Sequence, residues 1–218
     1  MRASLDTNVI IHFYRAQRQE VLFEVFDEGV FIYEQIRYIE LEHHAKDLLE
    51  KIDLDILSGK IELYTDQKLK ELAVLNLFEI NVVENRNLYG SGDLGEVYAI
   101  SLAQTLGIFS LVTDDTKQGG PYMSLLQFDD SVMPFNFSDV LILRYLLGLA
   151  DEYQTVKDFN LINDISNLNW RFRTQVAKFV KRFYQDSYRV EDTRWIKKLA
   201  ADHNIRVKNK LTVLNRLI

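Results

Sequence analysis

An α/β architecture, a central parallel sheet of about four to five strands covered by helices on both faces in three layers, follows from three observations. Short β-branched or aromatic runs alternate with stretches of helical periodicity through the first two-thirds of the chain. The alternation stops at Gly148, and only helical spacing follows it. Apolar residues fill 47% of the 218 positions, enough to bury a core on both faces of a sheet.

Taken in order, Arg2 to Leu5 reads as a strand running into Asp6-Thr7-Asn8, after which Val9, Ile10 and Phe13 continue at helical spacing. Val30 to Tyr33 is a second strand, and Ile36, Ile39, Leu41 and Leu48-Leu49 supply the apolar face of a long helix after it. Ile61 to Tyr64 is a third, followed by a helix through Lys68 to Leu77 and a polar glycine-bearing loop, ENRNLYGSGDLG. The loop opens a helix from Glu96 to Leu106 that Gly107 closes. The run Ile108 to Thr113 reads as a buried strand, Val132 to Phe135 as a last one, and Ser138 to Leu147 as a helix. This divides the chain into an α/β domain over 1–148 and an all-helical extension over 149–218.

Composition narrows the chemistry. The chain has no cysteine, so disulfides, thiolate catalysis and the usual structural zinc sites are excluded, leaving carboxylates and four histidines as candidate ligands. No apolar run is long enough to span a bilayer, and the start MRASLDTNV carries an acid where a secretory signal needs an apolar core, so a cytoplasmic, membrane-free protein is expected. Net charge is −6 but unevenly placed: residues 1–150 hold 12 Lys and Arg against 24 Asp and Glu, residues 151–218 hold 14 against 8. An acidic body joined to a basic arm suits a polyanion as partner.

In a parallel sheet, function collects past the carboxyl ends of the strands. Asp6 follows the first strand and Asp114-Asp115 follow the fourth. Either could merely cap a helix, but together they point into one crevice, where like charges are tolerated mainly beside a cation. Glu40 and Glu96 fall near the same end of the sheet, with Glu42 and Asp93 as neighbouring alternatives, and Asp114 and Asp115 compete for one role. An all-carboxylate set suits a hard cation, Mg2+ or Mn2+. His43-His44 look like a metal pair, but adjacent residues diverge on a helix. The GSG of Gly90 to Gly92 lacks the lysine of a phosphate-binding loop.

The order and spacing of LDTNVII at 5–11, EQIRYIEL at 34–41, GEVYAISLAQTLG at 95–107 and LVTDD at 111–115 resemble the PIN-domain nucleases, particularly the toxin ribonucleases of VapBC-type toxin–antitoxin pairs. The resemblance covers roughly Arg2 to Gly148 and implies a PIN-like fold. It places the acids on Asp6, Glu40, Glu96 and Asp115, with Asp114 and Asp93 as further metal ligands. It implies an endoribonuclease that cuts single-stranded or structured RNA by metal-assisted attack of water, leaving a 5′-phosphate. It further implies an antitoxin partner and a homodimer. A PIN-fold module that binds RNA or protein without cutting is the alternative. Thr7, Asn8 and Thr113 are candidates for phosphate contact or for supporting the acids. Arg171, Arg173, Lys178, Lys181 and Arg182 are candidates for holding substrate, with Arg194, Lys197, Lys198, Arg206, Lys208 and Lys210 as a second basic cluster. Tyr184, Tyr188 and Trp195 could stack on unpaired bases, although aromatic residues at helical spacing are more often core. The segment WIKKLAADHNIRVKNKLTVLNRLI can be drawn as helix, turn, helix.

Overall fold

The computed structural model describes residues 1–89, 94–117, 120–128, 131–185 and 189–217. Its centre is a five-stranded, all-parallel sheet of β1 (Arg2–Leu5), β2 (Gly29–Tyr33), β3 (Ile61–Tyr64), β4 (Ser110–Val112) and β5 (Met133–Phe135), in the order β3-β2-β1-β4-β5. β1 is central and pairs on both sides, Ser4 opposite Phe31 of β2 and Leu111 of β4. Ala3, Ser4 and Leu5 are accordingly sealed from solvent on both faces, as a covered parallel strand requires. The chain first winds outward from β1 through β2 to β3, then returns to the other side of β1 for β4 and β5. Strand order therefore reverses between β1 and β4.

Helices α1 (Thr7–Arg15) and α2 (Glu20–Val25) connect β1 to β2. The single long helix expected after β2 is instead broken into a π-helical turn (Ile36–Glu40), α3 (Leu41–His44), a 3-10 turn (Lys46–Leu48) and α4 (Leu49–Leu57). Ala45 interrupts it at φ −148° and ψ 41°, and Ile39, expected on the buried face, is 55% exposed. Past β3, the helix read over Lys68 to Leu77 is two helices, α5 (Asp66–Glu71) and α6 (Leu75–Tyr89), parted at Ala73 in a left-handed conformation of φ 58°. α6 runs through residues that the sequence suggested were loop. α7 (Leu94–Leu106) ends as expected at Gly107, φ 61°, where the Ile108 and Gly107 amides donate to the Ala103 and Gln104 carbonyls.

α8 (Pro121–Phe128), unforeseen in the sequence, lies between β4 and β5. α9 (Phe137–Leu146) starts with a capping box in which Asn136 and Asp139 satisfy each other's backbone amides at 3.0 and 3.1 Å. The remainder is helical among the described residues: α10 (Glu152–Ile165), α11 (Phe172–Val180), a π-helical turn (Lys181–Gln185), α12 (Val190–Asp202) and α13 (Val207–Arg216).

These C-terminal helices share the core of the sheet. Phe137 stacks on Phe159 and Trp170, each at 5.2 Å between ring centroids, and Phe135 packs against Phe183 and Trp195. Asp158 of α10, sealed from solvent, receives Arg18 at 2.6 Å and Arg144 at 3.0 Å, tying α10 to the α1 end and to α9. No described helix is long and apolar enough to cross a membrane.

Candidate functional site

Strand order reverses between β1 and β4, and in open α/β sheets ligands collect past the carboxyl ends of the strands at such a reversal. Asp6 stands at the end of β1, 1% exposed, with extended backbone that lets it cap α1. Its Oδ1 accepts the Thr7 amide at 2.7 Å and its Oδ2 accepts the Thr113 hydroxyl at 3.2 Å. The carboxylate is thus held from both β1 and β4.

Thr7 links Asp6 to the second acid. Its hydroxyl donates to Glu40 Oε2 at 2.5 Å. Glu40 ends the π-helical turn after β2, and its carboxylate lies directly on the backbone of α7: a Cβ built at Gly95 would overlap all three atoms of that carboxyl group. Glycine in the first turn of a helix is normally a cost, and here it makes room for an acid. Glu96, next in the chain, is buried in that same first turn. Glu42 is exposed on α3, so of the two acids Glu40 is the one drawn to Asp6 and Gly95.

At the end of β4 the two aspartates diverge. Asp114 is clamped: Oδ2 meets His12 Nδ1 at 2.6 Å, and Oδ1 accepts the Phe137 amide at 2.8 Å. It joins β4 to α1 and α9. Asp115 faces the rim. Its amide donates to the Thr113 hydroxyl at 3.2 Å, and its carboxylate accepts the Lys117 amide and pairs with Lys117 Nζ at 3.2 Å. The Lys117 side chain is 85% exposed, so this pair is weak and readily opened. Hydrogen bonds therefore run from the Asp115 backbone through Thr113 to Asp6, and through Thr7 to Glu40.

Thr7 and Thr113 are buried within this chain of contacts, whereas Asn8 is exposed. His12 and Gly95 are contributors that sequence reasoning did not single out as such. The signal for Gly95 was a helix-opening glycine beside an acid; His12 carried none. Asp93, the Gly90 to Gly92 loop and Tyr188 lie outside the described residues. Among the described residues no group of three or more acidic or histidine side chains stands in ion-holding geometry. His43 and His44 are exposed, ring to ring at 4.7 Å, consistent with a solvated face.

The basic residues of the extension separate into two kinds. Arg171, Arg173, Lys178 and Lys181 are exposed. Arg182 is not on the surface where its place in the cluster put it: it is 4% exposed, donating to Asp192 at 2.8 Å, to the Pro134 carbonyl at 2.6 Å and to the Tyr122 hydroxyl at 3.0 Å. A buried guanidinium so engaged cannot meet a substrate. Arg189 shares Asp192 at 3.0 Å and donates to the Leu125 and Val132 carbonyls. Burial pushes the neighbouring Asp139 carboxyl above its ordinary range, against the pull of Arg182, and drives the Tyr122 phenol upward. Trp195 is likewise packed on Phe135 and Phe183, while Tyr184 keeps 38% of its surface in solvent.

Compared with family models, curated proteins and solved structures, the chain matches none.

Proposed function

We propose that the chain is a metal-dependent endoribonuclease of the PIN-domain kind. The observation that carries the reading is the meeting of Asp6, Glu40 and the Gly95-Glu96 helix start at the β1/β4 switch, with Gly95 lacking the Cβ that would exclude the Glu40 carboxylate. These donors are all oxygen, which fits Mg2+ or Mn2+ held by Asp6, Glu96 and Asp115, with Asp114 and Asp93 as further candidates. Such an ion supplies polarisation of the scissile phosphate and a water acidified for attack.

The rest falls to the protein. Thr7 and Thr113 fix the rotation of Asp6 so that its charge faces the crevice. Thr7 orients Glu40, which takes the proton of the attacking water. Lys117 leaves Asp115 for solvent or for a phosphate when substrate arrives. Arg171, Arg173, Lys178 and Lys181 grip the RNA backbone without reading sequence. The likeness to VapBC toxins extends the proposal to an antitoxin partner and a homodimer.

One observation favours a second reading. Thr7 holds both acids within the protein, its amide donating to Asp6 and its hydroxyl to Glu40. This suits a PIN-fold module that binds RNA or protein without cutting. Cleavage of a mixed RNA pool in manganese decides between them: wild type cuts and Asp6→Asn does not if the chain is a nuclease. Equal cutting by both, or none by either, sinks the nuclease reading.

A further inference from the structure

Two grooves meet on the C-terminal helices, one of about 640 Å3 between α11 and α13 and one of about 330 Å3 between α12 and α13. Tyr184 and Lys208 line both. The first has apolar walls, among them Val176, Val180 and Leu211, with Thr212 and Asn215 as neutral hydrogen-bonding groups. The second adds Lys197 and Arg206. Among the described residues no acid lines either groove, and α11, α13 and the π-helical turn bearing Tyr184 contain none. A groove of similar size at the amino-terminal edge of the sheet differs in charge: Glu24, Asp27, Glu28 and Asp202 stand among its walls together with Arg2 and Lys198.

Tyr184 is the aromatic ring that both grooves share. Phe172, Phe179 and Phe183 are buried, but Tyr184 is left 38% exposed between two hollows bordered by cations. A planar ring with apolar space beside it and ammonium and guanidinium groups around it matches a nucleobase joined to phosphates. α13 adds to this: it begins at Val207 with no side-chain cap and no acid in its first turn, so its positive end is turned toward the same groove as Arg206 and Lys208.

We infer that the paired grooves at Tyr184 bind a single-stranded stretch of RNA, a base stacked on Tyr184 and the adjoining phosphates held by Lys197, Arg206 and Lys208. The choice of RNA among nucleic acids rests on the nuclease reading; the stacking and phosphate contacts do not depend on cleavage. A duplex keeps its bases stacked on one another and cannot offer one to the ring, so the site selects unpaired segments.

The test is fluorescence anisotropy of a labelled single-stranded RNA dodecamer with the full chain in EDTA, where no metal-dependent cutting occurs. Tyr184→Phe should bind within about two-fold of wild type, and Tyr184→Ala should bind at least about five-fold more weakly. Lys208→Ala should lower the slope of log affinity against log salt by about 0.7, one phosphate contact on a single strand. Matched thermal melting of the variants guards against unfolding, and Tyr184→Phe serves as the folded reference. The inference falls if Tyr184→Ala binds like wild type, if Tyr184→Phe loses as much as Tyr184→Ala, if a duplex of equal length binds as tightly, or if polyglutamate displaces the RNA as well as unlabelled RNA does. Binding of this pattern without any cleavage in manganese overturns the nuclease reading and leaves the site standing; cleavage with binding indifferent to Tyr184 does the reverse.

Discussion

The carboxylates of this protein are held in two contrasting ways. At the junction of β5, α8 and α12, Asp192 and Asp139 are buried beside the guanidinium groups of Arg182 and Arg189, charge against charge. At the ends of β1 and β4, the contacts that orient Asp6 and Glu40 come from threonine hydroxyls and a backbone amide. In the first region the charges are cancelled internally and the cluster is closed. In the second, dipoles aim the acids, and the site stands at the reversal of strand order. Burial of carboxylates is common to both places, and the nature of the partner distinguishes them.

Breaking the closed cluster should have the largest effect. Arg182→Ala leaves Asp192 and the Pro134 carbonyl without a principal partner in a sealed site, and the expected loss is about 3–5 kcal/mol, read from the urea midpoint. At the rim the pattern inverts: Asp6→Asn should hold stability within about 1 kcal/mol yet reduce manganese-dependent RNA cleavage at least about 100-fold. A rim acid whose loss costs more stability than activity would erase the contrast.

Gly95→Ala lies between these extremes. The new methyl group collides with the Glu40 carboxylate and should cost about 1–3 kcal/mol while displacing the acid and lowering cleavage. The stability penalty should largely vanish in a Glu40→Ala background; a penalty that persists there would show that Gly95 serves the helix rather than Glu40. Smallest of all is Lys181→Ala, next door to Arg182 but exposed: stability should stay within about 0.5 kcal/mol. Its RNA affinity should lose about 0.7 from the salt slope, and an unchanged slope would remove Lys181 from the grip.

That adjacent pair also shows what sequence can and cannot reveal. Lys181 and Arg182 carry the same charge in the same basic run, and nothing local announces that one faces water and the other is sealed. The reason lies at Asp192, Tyr122 and Pro134, which are brought together only by the fold. The strands were more legible where a covered parallel strand leaves a dense apolar run, as in β2. Helix ends were legible where glycine wrote them, at Gly107, and illegible where alanine took an unusual backbone conformation, at Ala45 and Ala73. α8 escaped notice because a short helix of mixed character between polar stretches has no periodicity to display. Asp6 could be singled out from its place at a strand end. The resemblance put the second acid on Glu40 with Glu42 as the alternative, but the contact of Glu40 with Gly95 arises at a π-helical turn, whose five-residue spacing no hydrophobic pattern encodes.

The aromatic seam between the sheet and the last helices has a consequence for how the protein is made. Phe135 and Phe137 are synthesised well before Phe159, Trp170, Phe183 and Trp195, the rings that cover them. During translation the α/β body emerges with this side bare, and its apolar rings stay in contact with water until the helices from α10 to α12 have left the ribosome. A chain ending near Gly148 would leave these rings without their cover, a sticky surface and a substrate for chaperones.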